Sequence, residues 1–171
     1  TEAGETEGTN KVSQGTNKDV VDTNTIITNS NKNTASSHTV TIDAKDEDDK
    51  VEVTLKDVNI DASSRSEAAV SVTGKGDTTI ELDGDNELKS GGYHAGLEKN
   101  EHESKGTLTI KDDKGRDGSL TAEGGDDGAG IGGGIKSTGS NITIQGGAVK
   151  AVGGSNAAGI GDGAGVLSEP D

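Results

Sequence analysis

The side chains in this chain that could bind or transform a ligand are few. Tyr93 is the only aromatic, and it stands beside His94 in the segment Ser90–Asn100, with Glu98 and His102 close behind in sequence. Aromatic rings dominate protein and sugar recognition because they bury a large rigid area with a polar edge. Tyr93, His94, Glu98 and His102 are therefore the candidate ligand-binding residues. The third histidine, His38, reads as a surface residue. No H-x-x-x-H or H-E-x-x-H spacing exists, which argues against zinc. Carboxylates cluster at Asp46, Glu47, Asp48 and Asp49, at Asp83, Asp85 and Glu87, and at Asp126 and Asp127. Calcium requires six to eight converging oxygens. Asp46, Asp48, Asp49, Asp126 and Asp127 are the candidate calcium ligands, although neither an EF-hand spacing nor a nonapeptide calcium repeat is present. The stretch Gly128–Gly133 matches G-x-G-x-x-G, but Ser, Thr, Gly and Asn follow it with no helix pattern. A dinucleotide site needs that helix, so a tight corner is the better reading. Cysteine is absent, which removes disulfides and thiolate chemistry. No nucleophile–base pair or convergent acid pair can be assigned, so the chain reads as no enzyme.

The elements that would position these residues are legible from repetition. One short phrase occurs four times: Ala68–Val72, His94–Glu98, Gly128–Gly132 and Ala157–Gly161. Anchored on Ala69, Ala95, Ala129 and Ala158, it steps by 26, 34 and 29 residues. A self-similar period in this range marks stacked repeats. Alternating apolar residues precede each copy: Val51/Val53/Leu55, Ile80/Leu82, Leu108/Ile110 and Ile142/Ile144. Second short strands fall near Leu88, near Leu120 and over Ala148–Ala151, with Gly, Asp or Asn between segments. Taking Val53, Ile80, Leu108 and Ile142 as equivalent gives steps of 27, 28 and 34. No window shows helical spacing with caps. The pattern predicts an all-β, right-handed parallel β-helix of about 4–5 coils with three short strands per coil. The hand follows from the crossover rule, and coils about 4.8 Å apart give a body on the order of 20–25 Å long. A β-sandwich of antiparallel hairpins is the alternative, since Gly-Gly and Asp-Gly turns suit it too. Residues 1–24 read as a flexible leader or linker, 25–167 as a single β-helix domain with its cap around Ile26 to Ile42, and 168–171 as a C-terminal tail in which Pro170 ends pairing.

Composition narrows the partners. The 171 residues carry a formal charge of −15 and 26% hydrophobics, with no Phe, Trp or Met. Taken alone, such values suggest disorder, but a narrow core of repeated small and branched side chains can do without bulk. The negative charge disfavours nucleic acid and anionic membranes. No run of 18 apolar residues is present, so no membrane-inserted helix is expected. Outward threonines at Thr39/Thr41, Thr107/Thr109 and Thr143 suggest an ice-binding array, but Glu52, Glu81 and Asn141 interrupt it. The chain starts at Thr1 without Met and stops just after a repeat, as a processed or excised piece would.

Two resemblances follow. Gly125-Asp126-Asp127 resembles the paired-aspartate turn of β-helical pectin-cleaving glycosidases. The accompanying Gly-His-Gly is missing, and Ile135-Lys136 lacks the preceding Arg. More extensively, Gly128-Ala-Gly-Ile-Gly-Gly-Gly134, Asn141-Ile-Thr-Ile-Gln-Gly-Gly-Ala-Val-Lys-Ala-Val-Gly-Gly154 and Ala157-Ala-Gly-Ile-Gly161 resemble Gly-rich repeats of large surface proteins of Gram-positive bacteria. The close match spans about residues 106–165. That resemblance implies an extracellular module, on the bacterial surface or secreted. It also implies a host extracellular protein as partner, immunoglobulin among them in superantigen fashion, or a polysaccharide. The expected function is thus a non-catalytic interaction module. The alternatives are a polysaccharide-binding β-helix that uses calcium, and a passive adhesin stalk.

Overall fold

The computed structural model describes residues 1–115 and 117–167, so the expected tail 168–171 with Pro170 lies outside the described residues. The chain opens with β1 (Glu2–Ala3), β2 (Asn10–Gln14) and β3 (Asn17–Asp22). Five turns follow. The first holds β4 (Ile26–Thr28) and β5 (Val40–Ala44), and the second β6 (Lys50–Lys56), β7 (Asn59–Asp61) and β8 (Val70–Gly74). The third holds β9 (Asp77–Asp83), β10 (Asp85–Lys89) and β11 (Leu97–Glu98). The fourth holds β12 (Leu108–Lys111), β13 (Ser119–Glu123) and β14 (Ile131–Gly132), and the fifth β15 (Ile142–Ile144), β16 (Ala148–Val152) and β17 (Ile160–Gly161).

Equivalent strands stack into three parallel sheets. The first sheet runs β4-β6-β9-β12-β15, the second β7-β10-β13-β16, and the third β5-β8-β11-β14-β17. No helix occurs among the described residues. This is a parallel β-solenoid, and its parallel pairing excludes the hairpin sandwich. Stacking in register lines side chains into columns through the core. Val53 sits on Ile80, Ile80 on Ile110 and Ile110 on Ile144. In the third sheet Val70, Leu97, Ile131 and Ile160 form another column. The members from turns two to four are sealed from solvent, which is how a chain without Phe, Trp or Met makes a core.

Two registers differ from the sequence expectation. Ile80 pairs with Ile110, and Leu108 pairs with Thr78, so the step is 30 where 28 was expected. A two-residue slip keeps every side chain on its face, so alternation could not reveal it. The third-sheet phrase is off by one. Val70 aligns with Leu97, which places Ala68 rather than Ala69 opposite Ala95.

Residues 1–24 differ more. The expected leader instead carries three strands that extend the third sheet over the end of the stack. β1 pairs parallel with β5 through Glu2 and Asp43, while β2 and β3 continue antiparallel. The Thr1 ammonium donates to Thr41 O at 2.7 Å. Asn10 is buried, and its Nδ2 donates to Thr25 Oγ1 and Glu52 O, each at 2.9 Å. A cap buries one face only and is held by main-chain pairing, so it needs little apolar pattern. That is why Val12, Val20 and Val21 gave too weak a signal. The stretch expected as the cap, Ile26 to Ile42, instead forms the first turn beneath it.

The register places Thr78 between Val51 and Leu108 in an aliphatic column. Its Oγ1 is buried without a hydrogen-bond partner. An unsatisfied buried hydroxyl costs about 1–3 kcal/mol. Thr78→Val should therefore raise stability by about 1 kcal/mol. In urea unfolding the midpoint should move up with an unchanged slope; a lower midpoint would show that the hydroxyl is satisfied in solution.

Candidate functional site

Tyr93 occupies the corner between β10 and β11. Its backbone is left-handed, with φ 72°. The registers β11–β14 and β14–β17 make Asp127 and Asn156 its equivalents in the next two turns, at φ 65° and 60°. Asp and Asn tolerate this conformation because their short side chains can bond locally, whereas a bulky ring does not gain that relief. The turn is nevertheless clamped. Tyr93 N–H donates to Asp126 O at 2.7 Å, and Tyr93 O accepts from Ile135 N–H at 2.8 Å. The next turn thus holds the main chain in place while the residue stays 57% exposed.

His94 and Glu98 lie against this corner. His94 Nδ1 is 3.1 and 3.0 Å from Glu98 Oε1 and Oε2, and Ala95 N–H reaches Oε1 at 3.4 Å. Glu98 stands on the outer face of the third sheet, aligned with Ser71 before it and Gly132 after it. It is nearly buried, and glycine makes the space: a Cβ on Gly134 would strike Oε1. Tyr93, His94 and Glu98 therefore form one cluster. His102 belongs to the loop after β11, where its contact is Glu103 Oε1 at 3.4 Å.

The expected calcium ligands are spread over two turns. Asp46 N–H donates to Asp49 Oδ2 at 3.0 Å, and Asp49 N–H to Asp46 O at 2.9 Å, so that loop closes on itself with Asp48 between. Asp126 and Asp127 shape the corner stacked on Tyr93, and their carbonyls accept from Tyr93 and Ala164. Among the described residues no group of three or more His, Asp or Glu side chains is arranged to hold a metal ion. The amides of Gly128, Ala129, Gly130, Ile131 and Gly133 all donate to main-chain carbonyls, which leaves none of these amides for a phosphate.

Three features escaped the sequence reading. A cleft of about 860 Å³ lies between residues 3–10 and 23–25 and the outer face of the first sheet at Val51–Thr54 and Thr79. Its rim carries Glu5, Glu7, Glu47, Asp48, Asp49 and Glu52 against Lys50 and Lys114. It exists because the N-terminal strands fold back over the stack, which the sequence did not signal. The second feature is Glu81, an outward position that alternation marks as solvated. The loop after β12 covers it completely. Lys114 N–H donates to Glu81 Oε1 at 3.1 Å, while Oε2 has no hydrogen-bond partner. Burial first, then the neighbouring Asp113 carboxyl, pushes the Glu81 carboxyl above its ordinary value. Lys111, 3.0 Å from Asp113 Oδ2 and 3.7 Å from Glu52 Oε1, holds Asp113 below its own. Third, Lys99 directly follows β11 and turns in beneath the loop that carries Ser104. It is buried, its Nζ donates to Ser104 O at 3.0 Å, and burial lowers its pKa.

Comparison with known proteins found no matching family model, no matching curated protein and no matching solved structure.

Because the folded pKa of Glu81 is raised, its protonated form favours the fold. That contribution is complete below the unfolded carboxyl value and is lost as pH rises through the folded one. Glu81→Gln keeps an acceptor for Lys114 N–H and gives Asp113 a donor. It should raise the urea midpoint at pH 7 and leave the midpoint unchanged at pH 4. An equal rise at both values would show that titration is not the cause.

Proposed function

We propose that this β-solenoid is a non-catalytic interaction module of the bacterial exterior that binds a host extracellular protein, with immunoglobulin the first class to test. One observation carries the reading. The only aromatic residue stands exposed on a left-handed corner whose main chain is clamped, beside the His94–Glu98 hydrogen bond, so its backbone is pre-organised. An anchor that needs no ordering on binding contributes its full contact energy. Local sequence preference works against Tyr at this position, and such conflicts concentrate at functional sites. The single pair of carboxyls pushed in opposite directions, Glu81 and Asp113, favours a structural latch over acid–base chemistry. Glu81 is sealed beneath its loop and has no route to a substrate. The Gly-rich repeat resemblance supports the location and the partner class.

A second reading has its own support. The cleft beside the N-terminal strands is lined by Thr, Asn and carboxylates, groups that bond polysaccharide hydroxyls and could share a calcium ion with them. It would make the domain a carbohydrate-binding module, whereas a passive stalk needs neither site.

A pull-down from serum and secreted antibody, run beside a glycan array with and without Ca²⁺, separates these readings. The protein-binding reading expects a stoichiometric immunoglobulin band. It also expects Tyr93→Ala and Tyr93→Gly each to weaken binding at least about tenfold, the range of an interface hot spot. Glycine accepts φ 72° without strain, so Tyr93→Gly should lose binding while keeping or gaining stability. Undiminished affinity in both variants would sink the Tyr93 site. A Ca²⁺-dependent glycan signal with no protein band would move the site to the cleft.

A further inference from the structure

The Tyr93 corner stands within a column of corners. The registers place Ser66 one turn before it and Asp127 one turn after it, both left-handed, with φ 50° and 65°. Successive turns lie about 4.8 Å apart, so Arg65, Ser66 and Glu67 flank Tyr93 on one side, and Asp126 and Asp127 on the other. Asp127 is half-buried and the other four are exposed. The charges here are unequally engaged. Arg65 reaches back to the first turn, where Nη1 donates to Ser37 O at 3.0 Å, and its Nε lies 3.8 Å from Glu67 Oε2. Glu98 is nearly buried against His94. The stem of Lys136 lies beside Gly165, a turn further on. The carboxylates of Asp126 and Asp127 make no hydrogen bond or ion pair among the described residues, and neither does the Tyr93 hydroxyl.

We propose that this corner receives a basic segment of a protein partner, with an arginine stacked on Tyr93 and its guanidinium paired to Asp126 and Asp127. This rests on the protein-binding reading above and names the chemistry of the face that docks. A partner that covers the corner strips water from both carboxylates. If its surface there were apolar or acidic, two carboxylates would be buried without a donor, a cost that few contacts offset. A basic segment supplies the donors. The face of a tyrosine ring also attracts a cation. Guanidinium is the side-chain group that stacks flat on a ring while its rim N–H groups remain free to bond carboxylates in a fork. The field of the whole molecule, at −15, draws a basic surface in and turns an acidic one away.

No other corner of the column offers this pairing. Ser66 and Asn156 hold the left-handed position in the second and fifth turns, where they bring no ring. The Asp46–Asp49 loop has more carboxylates but no aromatic, and Asp49 Oδ2 is already taken by Asp46 N–H at 3.0 Å. Ring and unpaired carboxylates meet where the third turn stacks on the fourth.

The chain has one tyrosine and no Phe or Trp, so the tyrosine ring signals of a proton NMR spectrum report on this corner alone. The test titrates a blocked arginine–glycine pentapeptide into the full chain at low ionic strength, beside its lysine and glutamate counterparts. The expected result is a saturable shift of the ring signals with the arginine peptide, a smaller one with lysine and none with glutamate, weakening as salt rises. Asp126→Asn with Asp127→Asn should weaken binding about fivefold. Asparagine suits the left-handed corner, as Asn156 shows at φ 60°, so this variant keeps the fold. Asp46→Asn with Asp48→Asn removes the same charge from another loop and should change binding less than about twofold. Equal weakening in the two double variants would reduce the effect to net charge and overturn the proposal. So would ring signals that never shift, or a lysine peptide that matches arginine. Immunoglobulin binding that survives Asp126→Asn with Asp127→Asn, without any peptide shift, would sink this proposal alone. A peptide shift with no immunoglobulin band would sink the immunoglobulin class and uphold the chemistry of the corner.

Discussion

Everything in this molecule depends on the main-chain ladder between successive turns. Once residue n of one turn bonds to its equivalent in the next, the side chains above and below are fixed at the strand spacing of about 4.8 Å. Each column must then be tolerable from top to bottom. Val53, Ile80, Ile110 and Ile144 satisfy that with branched aliphatics, as do Val70, Leu97, Ile131 and Ile160. The ladder needs neither aromatics nor bulk, so 26% hydrophobics suffice. It also explains the uneven steps between repeats. The loop over Glu81 and the loop carrying His102 vary in length without disturbing the registers on either side.

The same constraint sets what sequence could disclose. Strand alternation and the repeated phrase are direct consequences of stacking, so the number of turns and the three-strand plan could be read from them. Registers were less accessible. The pairing of Leu108 with Thr78 in place of Ile80 conserves the facing of every side chain and leaves no trace in the pattern. The N-terminal strands were missed because a cap held by main-chain bonds and one buried Asn needs no periodic apolar residues. The burial of Glu81 was missed because a loop of the next turn, about thirty residues away in sequence, covers it, and no local pattern records such a contact.

Within the candidate site, proximity in sequence worked where the backbone is tightly turned. Tyr93, His94 and Glu98 fall on one corner and the strand it feeds, so they meet. His102, beyond the strand in a loop of its own, pairs with Glu103 instead. The left-handed strain at Tyr93 was invisible beforehand, because it comes from the Asp126 and Ile135 contacts of the next turn. Both buried charged side chains, Lys99 against the Ser104 loop and Glu81 beneath its own, belong to the third turn, the same turn that carries the Tyr93 corner. That middle layer departs furthest from the repeat.

The order of the turns along the chain has a temporal side. A ribosome delivers residues 1–44 before the turns that stack on them, which supplies the β1–β3 strands together with the β5 edge they bind. Each later turn then emerges beside a finished template and needs to close a loop of only some thirty residues, a cost that changes little from one turn to the next. Growth of the native state can thus follow the direction of synthesis.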